Sequence, residues 1–414
     1  MANQFINTNW VSMKILQLLL NKLFIAESFN RSWQGDFQKE FAVGSSITVK
    51  LPWNPQVLNQ MGYEPQGIQR LSTTISLDRW KQIPFEWDDY ERAVKLERSA
   101  PELNENYWDP CATQMAQAWE SDMAQFAYQN SNNVVGALGT DPTSVQTYYQ
   151  ARQSMSELAC PSGGKRVMAI SSSMMTTLGS NITSVFNPGD EISRMFKEGY
   201  IGRLAGYDWG ESQSLWQHTA GTWAGAVTVN GAGQSGTQLL INATAGDTFL
   251  PGDKFSIANM NQVNPRTRRI SGATKAKRLT VTQALTATGG GSANDVLNFL
   301  PAIYGPGSQY QNVDALPANA AALTLWPGTT NPNGKTGTVG LALSRYAFGV
   351  VYGKLFVPKS TESAGQATDP DTNMSIRKVI AWDPVRSMEV HRMDSLGGFG
   401  ILYGDSGAVC VPGA

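Results

Sequence analysis

Fifteen glutamates are distributed along this 414-residue chain, and none falls between Ser212 and Thr361. Glutamate is a strong helix former, so its disappearance over such a length works against helices there. The same interval is rich in Gly, Thr and Asn, and these turn residues separate short apolar runs at 226–229, 239–243, 254–257, 279–282 and 323–326. Short strands between frequent turns predict an all-β module, of barrel or sandwich form, set inside a chain whose flanks follow other rules.

The flanks interleave helices with strands. Val11, Ile15, Leu18, Leu19, Leu23 and Ala26 recur at helical spacing and predict an amphipathic N-terminal helix whose apolar stripe needs a partner surface. Ile47, Val49 and Leu51 alternate with polar residues, as do Ile83, Phe85 and Trp87. Two strands flanking a polar excursion that contains Pro and Gly predict a long hairpin-like arm. Asp109-Pro110 is an N-cap followed by Pro at the first helical position, and Ala112, Met115, Ala116, Trp119, Met123, Phe126 and Ala127 hold one face of the helix beyond it. Asp141-Pro142 predicts the opening of another helix, and 167–170 reads as a buried strand. After Leu341, the pattern Ile376, Val379, Ile380, Trp382, then Val390 and Met393, predicts closing strands. The fold class expected is α+β, with two or three domains for this length.

Composition bears on what such a fold can do. Charged residues make up 16% against roughly 25% in ordinary soluble domains, the formal net charge is -1, and there are twelve Trp. A weakly charged surface with large apolar anchors is compatible with self-association. Cys111, Cys160 and Cys410 are odd in number and widely spaced, which fits a reducing compartment. The 11–26 segment is interrupted by Lys14, Gln17, Asn21 and Lys22, so neither a spanning helix nor a secretory signal is expected, and folding in cytoplasm is.

Several motifs imitate chemistry. Gly404-Asp405-Ser406-Gly407 copies the surroundings of a protease serine, but only His218 and His391 could act as base and neither sits in a suitable context. A polar turn is the better reading. Gly231-Ala232-Gly233-Gln234-Ser235-Gly236 is followed by a strand pattern where a dinucleotide site needs a helix. Asn333-Gly334-Lys335-Thr336 lacks the earlier glycine of a phosphate loop, and the run from Asp369 through Asp371 and Asn373 lacks the Gly and terminal Glu of a calcium loop. Glu86, Asp88, Asp89 and Glu91 read as a solvated acidic face. No catalytic, cofactor-binding or metal residue is therefore expected. Between 264 and 280, Arg266, Arg268, Arg269, Lys275, Lys277 and Arg278 occur without one acid. By composition this is the footprint of phosphate binding or a solvated loop.

The order of these parts resembles the major capsid proteins of tailed bacteriophages, with the closest likeness to short-tailed-phage coat proteins that carry an inserted β-barrel. The resemblance is carried by Gly44-Ser45-Ser46-Ile47-Thr48-Val49-Lys50-Leu51-Pro52, by Ile83-Pro84-Phe85-Glu86-Trp87 leading into Glu91-Arg92-Ala93-Val94-Lys95-Leu96, and by Leu250-Pro251-Gly252-Asp253-Lys254-Phe255. Ile303-Tyr304-Gly305 with Gln309-Tyr310-Gln311-Asn312-Val313, and Met374-Ser375-Ile376-Arg377 with His391-Arg392-Met393-Asp394, complete it. It implies an N-terminal helical arm at 1–35, an extended β-arm and the start of a peripheral domain at 36–100, and a spine helix at 101–136. The axial domain follows at 137–221, the inserted β domain at 222–340, and the rest of the axial domain with closing peripheral strands at 341–414.

On this resemblance the chain is a structural protein and not an enzyme. It would assemble with copies of itself into pentamers and hexamers, with a scaffolding protein and a portal protein, in the cytoplasm of a bacterial host. The shell would expand on packaging and touch DNA non-specifically on its inner surface, with no cofactor and no membrane. Val11, Ile15 and Leu19 on the N-terminal helix, and Arg266, Arg268 and Arg269 in the insert, are the candidate subunit contacts. The arginines are expected to pair with carboxylates of a neighbour, because the resemblance places the insert on the outer surface. The alternative reading is a soluble oligomeric ligand- or carbohydrate-binding protein with a β-sandwich module.

Overall fold

The Asp109-Pro110 start predicted from capping chemistry opens the longest helix among the described residues, Asp109–Gln129, in a computed structural model of the chain. The structure describes residues 12–13, 16, 23–32, 46–55, 57, 61–62, 65–68, 70–88, 107, 109–161, 163–182, 203–223, 225–270, 275–289, 295–326, 332–358, 363–368 and 374–414. Val11, Ile15, Leu18 and Leu19, the 91–96 segment, and Asp89, Asp369, Asp371 and Asn373 lie outside the described residues. Two units emerge: one comprises 1–49, 73–123 and 349–400, the other 50–72, 124–348 and 401–414.

In the first unit the helix face predicted from its periodicity is buried, with Ala112, Met115, Ala116, Trp119 and Met123 at 1% exposure or less. The Trp119 ring lies edge-on to Tyr352 at 5.6 Å and to Phe399 at 6.0 Å between centroids. Gly397 fits here because a Cβ on it would come within 2.6 Å of the Trp119 ring. On the polar side of the helix, Asp122 accepts from Lys81 at 2.7 Å and Arg79 at 3.3 Å. The sheet of this unit holds the strands Phe348–Gly353, Met388–Ile401, Ser375–Asp383 and Ser363–Thr368 in that order, with Arg79–Asp88 also paired to Met388–Ile401.

That last pairing corrects the hairpin expected between 47–51 and 83–87. The strand Ser46–Lys50 pairs with Ser72–Ser76, while Arg79–Asp88 runs antiparallel to Met388–Ile401 from Arg79 opposite Gly397 to Asp88 opposite Met388. An unbroken ladder over the full length of a ten-residue strand satisfies more backbone groups than a short hairpin partner could offer.

The second unit contains a mixed sheet ordered Asn133–Val134, Ala408–Pro412, Thr336–Ser344, Arg166–Ile170, Tyr207–Glu211 and Arg203–Leu204, with Gln217–Thr219 also paired to Thr336–Ser344. The helices Val145–Glu157 and Ser172–Ile182 belong to the same unit. Tyr148, Met155, Met168, Ile170, Met174, Leu178, Tyr207 and Trp209 share its core. The first of these helices begins three residues later than Asp141-Pro142 predicts. Ser144 caps it by accepting from the Gln146 amide at 3.1 Å, and Asp141 instead accepts from the Ser173 hydroxyl and from the Ala414 amide at 2.9 Å.

The glutamate-free interval forms a six-stranded antiparallel sheet: Leu323–Leu325, Lys254–Asn261, Ala276–Val281, Val296–Ile303, Gly236–Asn242 and Thr228–Val229. Leu239, Ile241, Phe255, Ile257, Leu279, Val281, Leu297 and Phe299 are all at 1% exposure or less. Removing such side chains from water contributes roughly 1.5–3 kcal/mol each.

Candidate functional site

The stretch Leu250-Pro251-Gly252-Asp253-Lys254-Phe255 turns out to be a chemical knot. Its turn is closed by the Asp253 amide donating to Leu250 O at 3.0 Å, and by the Leu250 amide donating back to Asp253 Oδ2 at 2.8 Å. Gly252 has φ +100°, and a Cβ there would come within 2.5 Å of Tyr128 Cε1. Both facts require glycine. They let Tyr128, one residue from the end of the long helix, lie against the turn and donate its hydroxyl to Gly252 O at 2.6 Å.

Asp253 is fully buried and heavily bonded. It accepts from His218 Nε2 at 2.8 Å, from the Gly221 amide at 3.1 Å and from the Trp326 indole at 3.3 Å. A His–Asp pair supplies two of the three members of a catalytic triad, but His218 is only 4% exposed and lies between the rings of Tyr128 at 5.2 Å and Trp326 at 5.5 Å. The pair fills a core position.

Lys254 points the other way, into the end of the long helix. Its ammonium donates to Tyr128 O at 2.7 Å, to Ser131 O, and to Thr280 Oγ1 at 3.1 Å. Thr280 lies directly opposite it across the strand pair. A cation satisfies carbonyls left without partners at a helix C-terminus and complements the helix dipole. Burial pushes the Lys254 ammonium down to about 8, against the opposing effect of Cys410 and Asp253.

Since the unfolded chain holds this proton up to about 10.5, the folded state binds fewer protons between pH 8 and 10.5. The contribution of Lys254 to stability is therefore greatest above that window and is lost as pH falls through 8. Between pH 7 and 9.5, wild type is expected to gain roughly 2 kcal/mol relative to Lys254→Met. Urea unfolding of both proteins at the two pH values measures it, and an unchanged difference would contradict the buried ammonium.

The Gly404-Asp405-Ser406-Gly407 motif forms one helical turn in the chain between the strands Met388–Ile401 and Ala408–Pro412. Its glycines allow close approach: a Cβ on Gly404 would lie 2.8 Å from Asn130 O, and one on Gly407 would lie 2.8 Å from Ala347 Cα. Asp405 accepts from Lys277 Nζ at 2.6 and 2.8 Å and from the Asn132 amide at 2.7 Å. Its backbone carbonyl accepts from Asn133. The aspartate of the motif is thus a strut that holds a fully buried lysine. The histidines are engaged elsewhere, His218 with Asp253 and His391 stacked on Phe85 at 4.9 Å within the first unit. Ser406→Ala is expected to change stability by no more than about 0.5 kcal/mol. Labelling of Ser406 by a fluorophosphonate at a rate far above that of other serines would overturn this reading.

The basic run does not behave as one solvated loop. Lys277 meets Asp405, Lys275 meets Glu157 at 2.9 Å, and Arg278 donates to Val134 O with its guanidinium held by burial down to about 10. Arg268 is half-buried and donates to Gln309 O at 3.0 Å, while Arg266 and Arg269 are exposed. The loop carrying them is ordered by Asn264, whose side chain accepts from the amides of Arg266 at 2.9 Å and Thr267 at 3.1 Å. Sequence spacing alone gives no signal that Lys277 of this run is interior.

A family model described as P22 coat protein, gene protein 5, matches residues 1–334. The chain belongs to the P22 coat protein family. It is a major coat protein, a structural subunit that assembles with identical copies into the capsid of a phage virion, and the small ligand-binding alternative falls away. A search of curated proteins found no match. Among solved structures, the chain is similar to one from Mycobacterium phage Che8 at 14% identity and a TM-score of 0.48, covering 94% of this chain and 90% of that one. It is also similar to a capsid structure of Cyanophage P-SCSP1u, at 12% identity and TM-score 0.43 over 92% and 87% of the two chains. For the mature capsid of bacteriophage PhiM1 the values are 10%, 0.42, 93% and 87%. Among the described residues, no group of three potential metal ligands occurs, and no helix is long and apolar enough to cross a membrane.

Proposed function

We propose that this coat protein builds an icosahedral shell of pentamers and hexamers through a scaffold-dependent procapsid that forms around a portal in the bacterial cytoplasm and expands as DNA is packaged. Its inner surface touches the packaged DNA without sequence preference, and the chain catalyses no reaction. The family match over residues 1–334 carries this reading. The commitment of Asp405, His218 and Asp253 to packing supports it. Closed shells use contacts that close into rings, and we assign Val11, Ile15, Leu19, Arg266, Arg268 and Arg269 to such contacts. Co-expression with and without a matching scaffold tests the route. Uniform closed particles only with scaffold are expected, and equally uniform particles without it would contradict the scaffold requirement.

The domain division 1–35, 36–100, 101–136, 137–221, 222–340 and 341–414 is part of the same proposal, and its sharpest claim is that the 222–340 insert folds alone. About 120 residues suffice for a core, and release from the host would hydrate Lys254, Lys277 and Arg278. Thr336–Ser344, however, pairs with Arg166–Ile170 and Ala408–Pro412. A 222–340 fragment should therefore give dispersed amide NMR signals from 225–326 and unstructured ones from 336–340. A collapsed spectrum throughout would contradict autonomy.

A further inference from the structure

A cavity of about 660 Å³ lies within the second unit, walled by the root of the arm at 51–54, the basic loop at 265–266, the insert strand end and turn at 301–312, and the turn at 401–406. Five aromatic side chains face it: Trp53, Tyr304, Tyr310, Tyr346 and Tyr403. Trp53 and Tyr403 remain 37% and 36% exposed.

The polar groups of the wall are largely engaged in building it. Asn54 donates to Pro265 O at 2.9 Å, and Gln309 donates to Asn54 O at 3.2 Å. Asn312 donates to Ala302 O at 2.7 Å and accepts from the Tyr304 amide at 2.9 Å. Asp405 is held by Lys277. Among the described residues of the wall, what remains for a ligand is a set of ring faces and one cation, the exposed Arg266. Its loop is already set by Asn264, so little conformational freedom is lost on binding.

We propose that this cavity is a binding site for small planar aromatic anions, with the ring system between the tyrosines and Trp53 and the carboxylate or sulfonate on Arg266. The volume suits a compound of drug-like size, flat apolar bodies match aromatic walls, and a guanidinium forks naturally onto a carboxylate. An occupant would fasten the root of the arm to the insert. Any effect on shell assembly rests on the proposed function, whereas the binding itself does not.

The test uses the unassembled full-length chain with dansylglycine, an aromatic carboxylate, and dansylamide, its uncharged counterpart. Fluorescence titration is expected to show saturable one-to-one binding of both, tighter for dansylglycine. Arg266→Gln should weaken dansylglycine about tenfold and leave dansylamide within about twofold, since a hydrogen bond to a charged group is being removed. Ala302→Trp, which fills the cavity, should abolish both, and Tyr310→Ala provides a second wall variant should the bulky one not fold. Absence of saturable binding, or binding indifferent to the wall variants, overturns the site. Equal weakening of both probes by Arg266→Gln overturns its role as the anion partner. Each readout is independent of whether shells form.

Discussion

Asp405→Ala is expected to destabilise the subunit by about 3 kcal/mol, the low end of the cost of leaving a buried charge without its partner. Lys277 is fully buried and its ammonium has both Asp405 oxygens within hydrogen-bond distance, while Asp405 is 29% exposed. That residual exposure lets water partly replace the lost carboxylate, which is why the low end applies. The same variant strips the Asn132 amide of one acceptor. Adding Lys277→Met should restore most of the loss, because a matched apolar replacement removes the charge along with its partner. Urea midpoints of the two single variants and the double variant decide it. A double variant no more stable than Asp405→Ala would show that the pair is not the source of the effect. The contrast with Ser406→Ala, one residue away, separates a structural motif from a catalytic one.

Reversing Arg266, Arg268 and Arg269 to Glu is expected to impair shell assembly with little effect on the subunit itself. Exposed ion pairs contribute roughly 0.2–1 kcal/mol each, so three reversed charges remove on the order of 1–3 kcal/mol per subunit and add repulsion at each equivalent contact. A change of that size raises the concentration needed for assembly about tenfold or more. Subunit stability should fall by less than about 1 kcal/mol, chiefly from the bond between Arg268 and Gln309 O. Light scattering of assembly, with urea unfolding as control, gives both numbers. Normal assembly with reduced DNA retention would transfer these arginines from subunit contact to phosphate binding.

Local chemistry was legible in the sequence, and distant pairing was not. The long helix begins where Asp109-Pro110 placed it, because capping and the missing proline amide act within one turn. The α+β fold class and the strands of the glutamate-free interval followed from turn residues and periodicity. Helix Ser172–Ile182 escaped notice because its sequence is rich in Ser and Thr, poor helix formers. Its Met174 and Leu178, one turn apart, are nonetheless buried in the core. Arg79–Asp88 was assigned the wrong partner, since strand pairing depends on residues some three hundred positions away.

The candidate site shows the same division. Tyr128 and Lys254, and Lys277 and Asp405, are separated by 126 and 128 residues, and a run of basic residues carries no mark of which members will be buried. Motif resemblance had drawn attention to Leu250-Pro251-Gly252-Asp253-Lys254-Phe255, but only geometry explains it. The glycine admits a tyrosine, the aspartate ties backbone amides to a histidine, and the lysine closes a helix end.

Cryo-electron microscopy of particles from cells expressing the chain with a matching scaffolding protein tests the central claim most directly. The account predicts closed icosahedral shells whose repeating subunit contains the helix Asp109–Gln129, the five-stranded sheet that includes Met388–Ile401 and the six-stranded insert. A chain that stays a small discrete oligomer under those conditions, with no shells formed, would contradict it.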